Sequence, residues 1–542
     1  VLSRWLVSGL LLALVCTAPA AAAAATEPPP HGSLLGKTPP PADRTGRALK
    51  AIEAGGSVLY HGGPVAHRST TYAIFWTGPG HDISVNFEGG VTQFLQGVAA
   101  EAGGHGNVYS VPVEYGDSSN VAAYNTQFGG GFQDTAPIPT NGCTPKFGSA
   151  CVSAEQIREQ VDGFVAANQL PRGLHDLYVI FLPPSYDICG GSACSYTDFC
   201  GYHSWFGSGR AWTLYAVLPW AEPGCLGPYS PNGYPALDSE LSVVSHEQIE
   251  TFTDPLGNSW YDAIGQEVSD KCAWNYGPPL GATGFGQFNQ QIAGNSYALQ
   301  LEWSNATSSC IARSDAVPPP PPGNDLFANA VVLHGRTAYR GGDSTFGATK
   351  EPGEPNHAGN EGGASIWYSW TPPRLGTATV ETVGSDFDTL LGVYAGQTVY
   401  RLRGVAADDD TGRSLQSRVR FIARPDTTYR IAVDGLNEVG EPVGGTVRLR
   451  LAERPAPNTR ISGRHRIATR RHRARVRFKL SASPRTGAFE CSVDRRRFRR
   501  CKRHLTLRTG VGIHLLKARA IAPGGLRDPS PARFYFRITA RR

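Results

Sequence analysis

The sequence contains no methionine, no CxxC pair and no late apolar run long enough to cross a bilayer. A spanning helix needs about 20 consecutive apolar residues, so no helical anchor is expected within the folded part. Without CxxC pairs, a zinc-finger framework has no support. With no Met anywhere, Val1 reads as a non-standard start codon translated literally. Acids are scarce at one end only: Pro455 to Arg542 holds 25 Lys+Arg against Glu490, Asp494 and Asp528. The preceding residues carry 26 bases and 42 acids. Such a split points to a tail that meets acidic polymers while the rest does something else.

What is present is glycine (64), proline (41) and 40% hydrophobic residues in a chain of 542. That length exceeds one core, and the composition favours loop-rich, β-rich modules. Residues 1–25 read as a secretory signal: Arg4, then an apolar core from Trp5 to Val15, then small residues from Ala18 to Ala25. A lipid-attachment role for Cys16 is disfavoured by the bulk of Val15. Removing the signal leaves ten cysteines: Cys143, Cys151, Cys189, Cys194, Cys200, Cys225, Cys272, Cys310, Cys491 and Cys501. An even count in an exported chain predicts disulfides. Pairing of each with its neighbour is the expectation, although sequence does not fix it.

Proline runs divide the chain. Residues 26–56 form a Pro-rich linker, 57–313 a first domain, 314–323 a second linker around Pro318 to Pro322, 324–453 a second domain and 454–542 a basic third. The first reads as α/β, a zincin-like α+β fold being the variant. Thr71 to Trp76, Asp176 to Leu182 and Trp212 to Leu218 are buried-strand runs. Ser153 to Leu170 is a helix with a Ser153/Gln156 capping box and an apolar face of Ile157, Val161, Phe164 and Val165. Past Pro322, short alternating stretches such as Ser365 to Trp370 and Thr428 to Val433 predict two all-β sandwiches.

Asp238 to Asp254 reads as a second helix ended by Asp254-Pro255. His246 and Glu250, four apart, leave one helix face a turn apart, with Glu247 beside them. Two metal ligands in register next to a carboxylate base is the zincin pattern, with glutamate in place of the second histidine. A third ligand is expected from Glu267 or Asp270, with His203 a further candidate. Zinc is the expected ion and Glu247 the general base for attack by water on a carbonyl. A solvated polar helix face with Asp254, Glu267 and Asp270 capping nearby loops is the competing reading.

Tyr60-His61-Gly62-Gly63-Pro64-Val65, the strand after it, and Ser242 to Glu247 with Glu250, Asp254-Pro255, Trp260-Tyr261, Glu267, Asp270 and Cys272 resemble the secreted phosphate-induced, EXORDIUM-like family. The resemblance runs over most of Ser57 to Arg313 and implies that His246, Glu247, Glu250, Glu267 and Asp270 form one constellation; it assigns no reaction. Asn324 to Phe327, Ser365 to Trp370 and Asp386 to Tyr394 resemble a pre-peptidase C-terminal β-sandwich, in which Asp386, Asp388 and Asp408 to Asp410 would be calcium ligands or solvated turns. Phe489 to Asp494, Cys501, Lys517 to Ala520 and Asp528 to Ala532 resemble a bacterial immunoglobulin-like module.

Two functions follow as expectations. One is a secreted zinc-dependent, peptidase-like hydrolase acting on an extracellular peptide or cell-wall polymer. The other is a non-catalytic wall-associated or adhesion protein. In either, the basic module would hold anionic envelope polymers, unless its arginines only reflect coding bias. Nucleic acid is not expected, since no aromatic stacking pattern interrupts the bases.

Overall fold

The computed structural model describes residues 29, 33–41, 56–122, 124–221, 224–412 and 414–541. The signal peptide read in residues 1–25 lies outside the described residues, as does most of the first linker. One part of that linker is not a spacer: Leu35–Thr38 forms a strand of the first domain.

Six strands make that domain's central sheet. They are β1 (Leu35–Thr38), β2 (Ser69–Trp76), β3 (Thr126–Asp134), β4 (Gly173–Phe181), β5 (Gly201–Phe206) and β6 (Thr213–Leu218), in the spatial order β1-β5-β6-β4-β2-β3. Strands β6, β4, β2 and β3 run parallel; β5 is antiparallel to β6, and β1 antiparallel to β5. Parallel strands covered on both faces need apolar side chains on both, which is why β2, β4 and β6 show as unbroken apolar runs. Along β2, Tyr72, Ile74 and Trp76 pack with Ile157, Val161 and Phe164, whereas Ala73 and Phe75 pack on the other side with Phe87, Val91 and Val244.

Three helices supply those layers: α1 (Val85–Ala100), α2 (Ala154–Ala167) and α3 (Pro235–Thr253). Helix α2 carries the expected box, with Ser153 Oγ accepting from Gln156 N and Gln156 Oε1 accepting from Ser153 N. Helix α1 was not anticipated, because Gly89, Gly90 and Gly97 lower its intrinsic propensity. Tertiary contact explains one of them: a Cβ on Gly90 would lie 2.3 Å from Leu237 Cδ2, so glycine lets α1 approach α3. Helix α3 begins with Pro235 in its first turn and is buried on every side from Ala236 to Thr253. The solvated-face reading of this helix is therefore corrected: its polar stripe points inward.

All ten described cysteines pair neighbour with neighbour: Cys143–Cys151, Cys189–Cys194, Cys200–Cys225, Cys272–Cys310 and Cys491–Cys501. Five bridges fit an oxidising, extracellular compartment. No described helix is long and apolar enough to cross a membrane. Beyond residue 323 the described chain is mostly strand. A five-stranded and a four-stranded sheet enclose one core around Ile366, Tyr368, Trp370 and Leu449. A three-stranded and a five-stranded sheet then enclose another around Val476, Phe478, Leu516 and Phe536. The architecture is multidomain and mostly β.

Candidate metal centre

The inward stripe of α3 meets two other segments. His246, Glu247 and Glu250 come from α3, His203 from the middle of β5, and Glu267 and Asp270 from the return segment that ends at the Cys272–Cys310 bridge. His246 Nε2 lies 3.1 Å from Glu250 Oε1 and 3.6 Å from Asp270 Oδ1. His203 Nδ1 lies 3.4 Å from Glu247 Oε2 and 3.6 Å from Glu250 Oε2, and its Nε2 lies 3.8 Å from Glu267 Oε2. Two groups thus have metal-ligand spacing, His246–Glu250–Asp270 and His203–Glu250–Glu267, with Glu250 common to both.

These separations suit an ion. Two zinc ligands at 2.0–2.2 Å in a tetrahedron stand about 3.4 Å apart. Four atoms at the centre, His203 Nε2, His246 Nε2, Glu250 Oε2 and Glu267 Oε2, are buried without a hydrogen-bond partner. Orphaned buried polar atoms are costly, and a shared ion would satisfy several together. Outer contacts orient the donors. His246 Nδ1 lies 3.2 Å from Gln300 Oε1, which accepts as well from Trp274 N, so Nδ1 is the donor and Nε2 is turned to the carboxylates. Glu250 Oε1 accepts from Asp270 N at 2.9 Å, and Glu267 Oε1 from Gly36 N at 3.1 Å.

Burial disfavours the charged form of these carboxylates. Burial, then the neighbouring Asp270, pushes Glu250 up to about 7; burial pushes Asp254 up to about 6 and Glu247 to about 8 despite the nearby His246 and the Thr38 hydroxyl. Glu267 and Glu302 are also raised, by burial first. His203 is lowered by burial, whereas Glu250 and Asp270 outweigh burial at His246 and raise it. So many carboxylates in so little solvent call for added positive charge.

All five predicted residues, His246, Glu247, Glu250, Glu267 and Asp270, are brought together, and His203 joins them. Glu302, Gln300, Gly36 and Thr38 were missed. Glu302 had a weak signal, a carboxylate flanked by Leu301 and Trp303; it is fully buried and accepts from Ser269 Oγ at 2.6 Å. A cleft of about 490 Å³ opens outward from the cluster, walled by Leu35, Gly36, Asp254, Tyr261, Glu267 and Asp270.

In the middle module, Asp386 accepts from Thr446 N, and Asp408 from Thr411 Oγ1 and Arg418 N. Desolvation, then Asp410, Glu438 and Asp409, pushes Asp388 up to about 6. The group of ligand type there is Glu354–His357–Asp434. It is internally satisfied: both His357 nitrogens have 2.7 Å partners, Tyr394 and Glu354, and Asp434 accepts from the Gly363, Ala364 and Gly435 amides.

No family model matches the chain. It is 24% identical over 305 residues to Protein EXORDIUM-like 3 of Arabidopsis thaliana, covering 50% of this chain and 88% of that protein. Protein EXORDIUM-like 5 of the same plant is 29% identical over 126 residues, covering 21% of this chain and 35% of that one. The chain is similar to EXORDIUM-like proteins. Among solved structures, Aeromonas hydrophila PliG, a periplasmic inhibitor of g-type lysozyme, matches at 14% identity, over 23% of this chain and 96% of that one, with a TM-score of 0.17. Apo Bacteroides uniformis beta-glucuronidase 3 matches at 12% identity, over 32% and 27%, with a TM-score of 0.13. Overlays this poor carry no argument.

Proposed function

We propose that the chain is a secreted member of the EXORDIUM-like group whose first domain is a zinc-dependent hydrolase of peptide bonds. The observation that supports this reading is the convergence of two imidazoles and three carboxylates, from three separate segments, into two adjoining buried groups that share Glu250, where four of their atoms lack partners. His246, Glu250 and Asp270 would hold the ion, with His203 and Glu267 completing the shell through the second Glu250 oxygen. Two imidazoles among carboxylates suit zinc better than magnesium or calcium. A bound zinc would polarise the scissile carbonyl and favour ionisation of water.

The chain's own residues do the rest. Glu247, adjacent to His246 and 3.4 Å from His203, would take a proton from water as the water oxygen bonds the carbonyl carbon. The same proton passes to the leaving nitrogen as the C–N bond breaks. Gln300 fixes the His246 ring, and the Cys272–Cys310 bridge fixes the return segment. The second and third domains act as attachment modules, the basic one for anionic envelope polymers.

Elemental analysis of the purified full chain tests this. At least one zinc per chain is expected, with loss of the metal in His246→Ala and in His203→Ala, and Glu247→Gln retaining metal while losing turnover. Metal-free protein that folds normally and cleaves no peptide would refute it and favour a structural, wall-associated role for the same residues.

A further inference from the structure

Strand β1 lies directly against the candidate metal centre. It is the outermost strand of the sheet, added antiparallel to β5, with Leu35 opposite His203 and Thr38 opposite Gly201. The Thr38 carbonyl accepts from Cys200 N at 2.6 Å, and Ser204 Oγ donates to the Ser33 carbonyl at 2.6 Å. Both groups are backbone oxygens, so this grip depends little on side-chain identity.

The inner side of β1 touches the cluster itself. Gly36 N donates to Glu267, and Thr38 Oγ1 donates to Glu247 Oε1 at 2.7 Å, so the carboxylate proposed as the base is already engaged. A Cβ on Gly36 would stand 1.9 Å from Glu250 Oε2 and 2.5 Å from His203 Nδ1, and φ there is +38°. Only glycine fits that place. Lys37, between the two inward residues, is exposed, which gives the alternation of an edge strand. This strand contributes peripherally to the first domain's core, with Leu34 and Leu35 packing partly buried against the two core clusters. It belongs to a Pro-rich stretch, and without it β5 would present an unpaired edge, a ready template for another extended chain.

We infer that the outer edge of β5 is a binding groove for extended polypeptide, with glycine over the imidazole–carboxylate cluster, and that Leu35–Thr38 occupies it as a built-in inhibitory strand. The inference rests on the proposed hydrolase for its consequence, since displacement of β1 frees Glu247, but the groove itself is a matter of strand addition. Any competing polypeptide must first displace the resident strand, so its apparent affinity falls by the fraction of molecules in which the groove is open.

The test uses the full chain and a fluorescent synthetic peptide with the sequence of residues 33–41. Gly36→Val should expel the strand, make Lys37 susceptible to trypsin, and raise peptide affinity at least about tenfold over the unmodified protein. Thr38→Val, which removes only the hydroxyl bond to Glu247, should shift both readouts the same way and guards against misfolding of the first variant. A control peptide with valine at the glycine position should not bind. Variants that keep the native melting profile yet gain no peptide binding would overturn the inference. Zinc content is measured in parallel. Zinc-free protein that binds peptide only once the strand is displaced would refute the hydrolase and leave the groove standing. Zinc-bearing protein that cleaves peptides equally well with the strand in place would refute the groove alone.

Discussion

Replacing Cys272 and Cys310 together by alanine should loosen the candidate metal centre before it unfolds anything else. The bridge closes a loop of 38 residues, and in the chain-entropy picture a loop of that length restricts the unfolded state by about 4 kcal/mol. The Cys189–Cys194 bridge closes a separation of 5, for which the same relation gives about 2 kcal/mol. Removing the longer bridge should therefore cost roughly twice as much. The loss should also be local, because Cys272 ends the short turn that carries Asp270, just after Val268, whose carbonyl accepts from Trp303 N. Hydrogen exchange followed by mass spectrometry reads this directly: amides 266–274 should exchange faster in the Cys272→Ala/Cys310→Ala protein, while those of α2 and β2 keep their protection. Equal destabilisation by the two double substitutions, or unchanged exchange at 266–274, would refute the reasoning that this bridge holds the return segment.

Other expectations follow from buried charge. His67 sits between Asp117 of its own domain and Glu441 of the second, 3.1 and 2.8 Å away, and these carboxylates outweigh burial to push it up to about 10. A raised folded value means that the contact contributes fully below about 6.5 and is lost as pH rises through about 10. Exchange at Gly444, whose amide donates to Ser118 Oγ, should rise over that window, and Glu441→Gln should weaken docking by about 1.5–3 kcal/mol at pH 6. Lys271 is buried, 2.8 Å from Asp262 and over the Trp303 ring; Lys271→Met strands that carboxylate and should cost about 3–5 kcal/mol in thermal melts. In the last module, Arg473, Arg475, Arg477 and Lys479 are exposed along one strand, with Arg508 directly opposite Arg475. Deleting 455–542 should abolish retention on an anionic surface, and salt should elute the intact protein as the screening length falls from about 8 Å at physiological ionic strength to about 3 Å at 1 M.

Legibility from sequence varied with how local the determining physics is. Helix α2 was readable to within a few residues because its cap and its apolar stripe lie in one short segment. Strands β2, β4 and β6 were readable because burial on both faces leaves continuous apolar runs. The pairing of His246 with Glu250 follows from helical pitch alone. By contrast, α1 has a tertiary component: its glycines weaken the helical signal, and one of them, Gly90, is explained by the approach of Leu237. The inward direction of the α3 stripe was ambiguous for a similar reason. A His-Glu-Gln-Glu series looks the same beside water as it does beside carboxylates brought in from residues 267 and 270.

The strand over the cluster is the sharpest case of this limit. Residues 33–41 contain prolines at 39, 40 and 41 and little else that predicts structure, so composition alone reads them as a spacer. Yet proline without an N–H is compatible with the end of an outermost strand, where no further partner has to be hydrogen-bonded. The decisive partners of this segment are Glu247, Glu250 and Glu267, more than 200 residues away in sequence. Gly36 is required by the approach of Glu250 and His203, and a local reading sees there only another glycine in a flexible stretch. A Pro-rich segment next to an anionic, partner-poor cluster can thus be a linker by composition and a bound strand by contact. Only the contact bears on whether the centre is open to substrate.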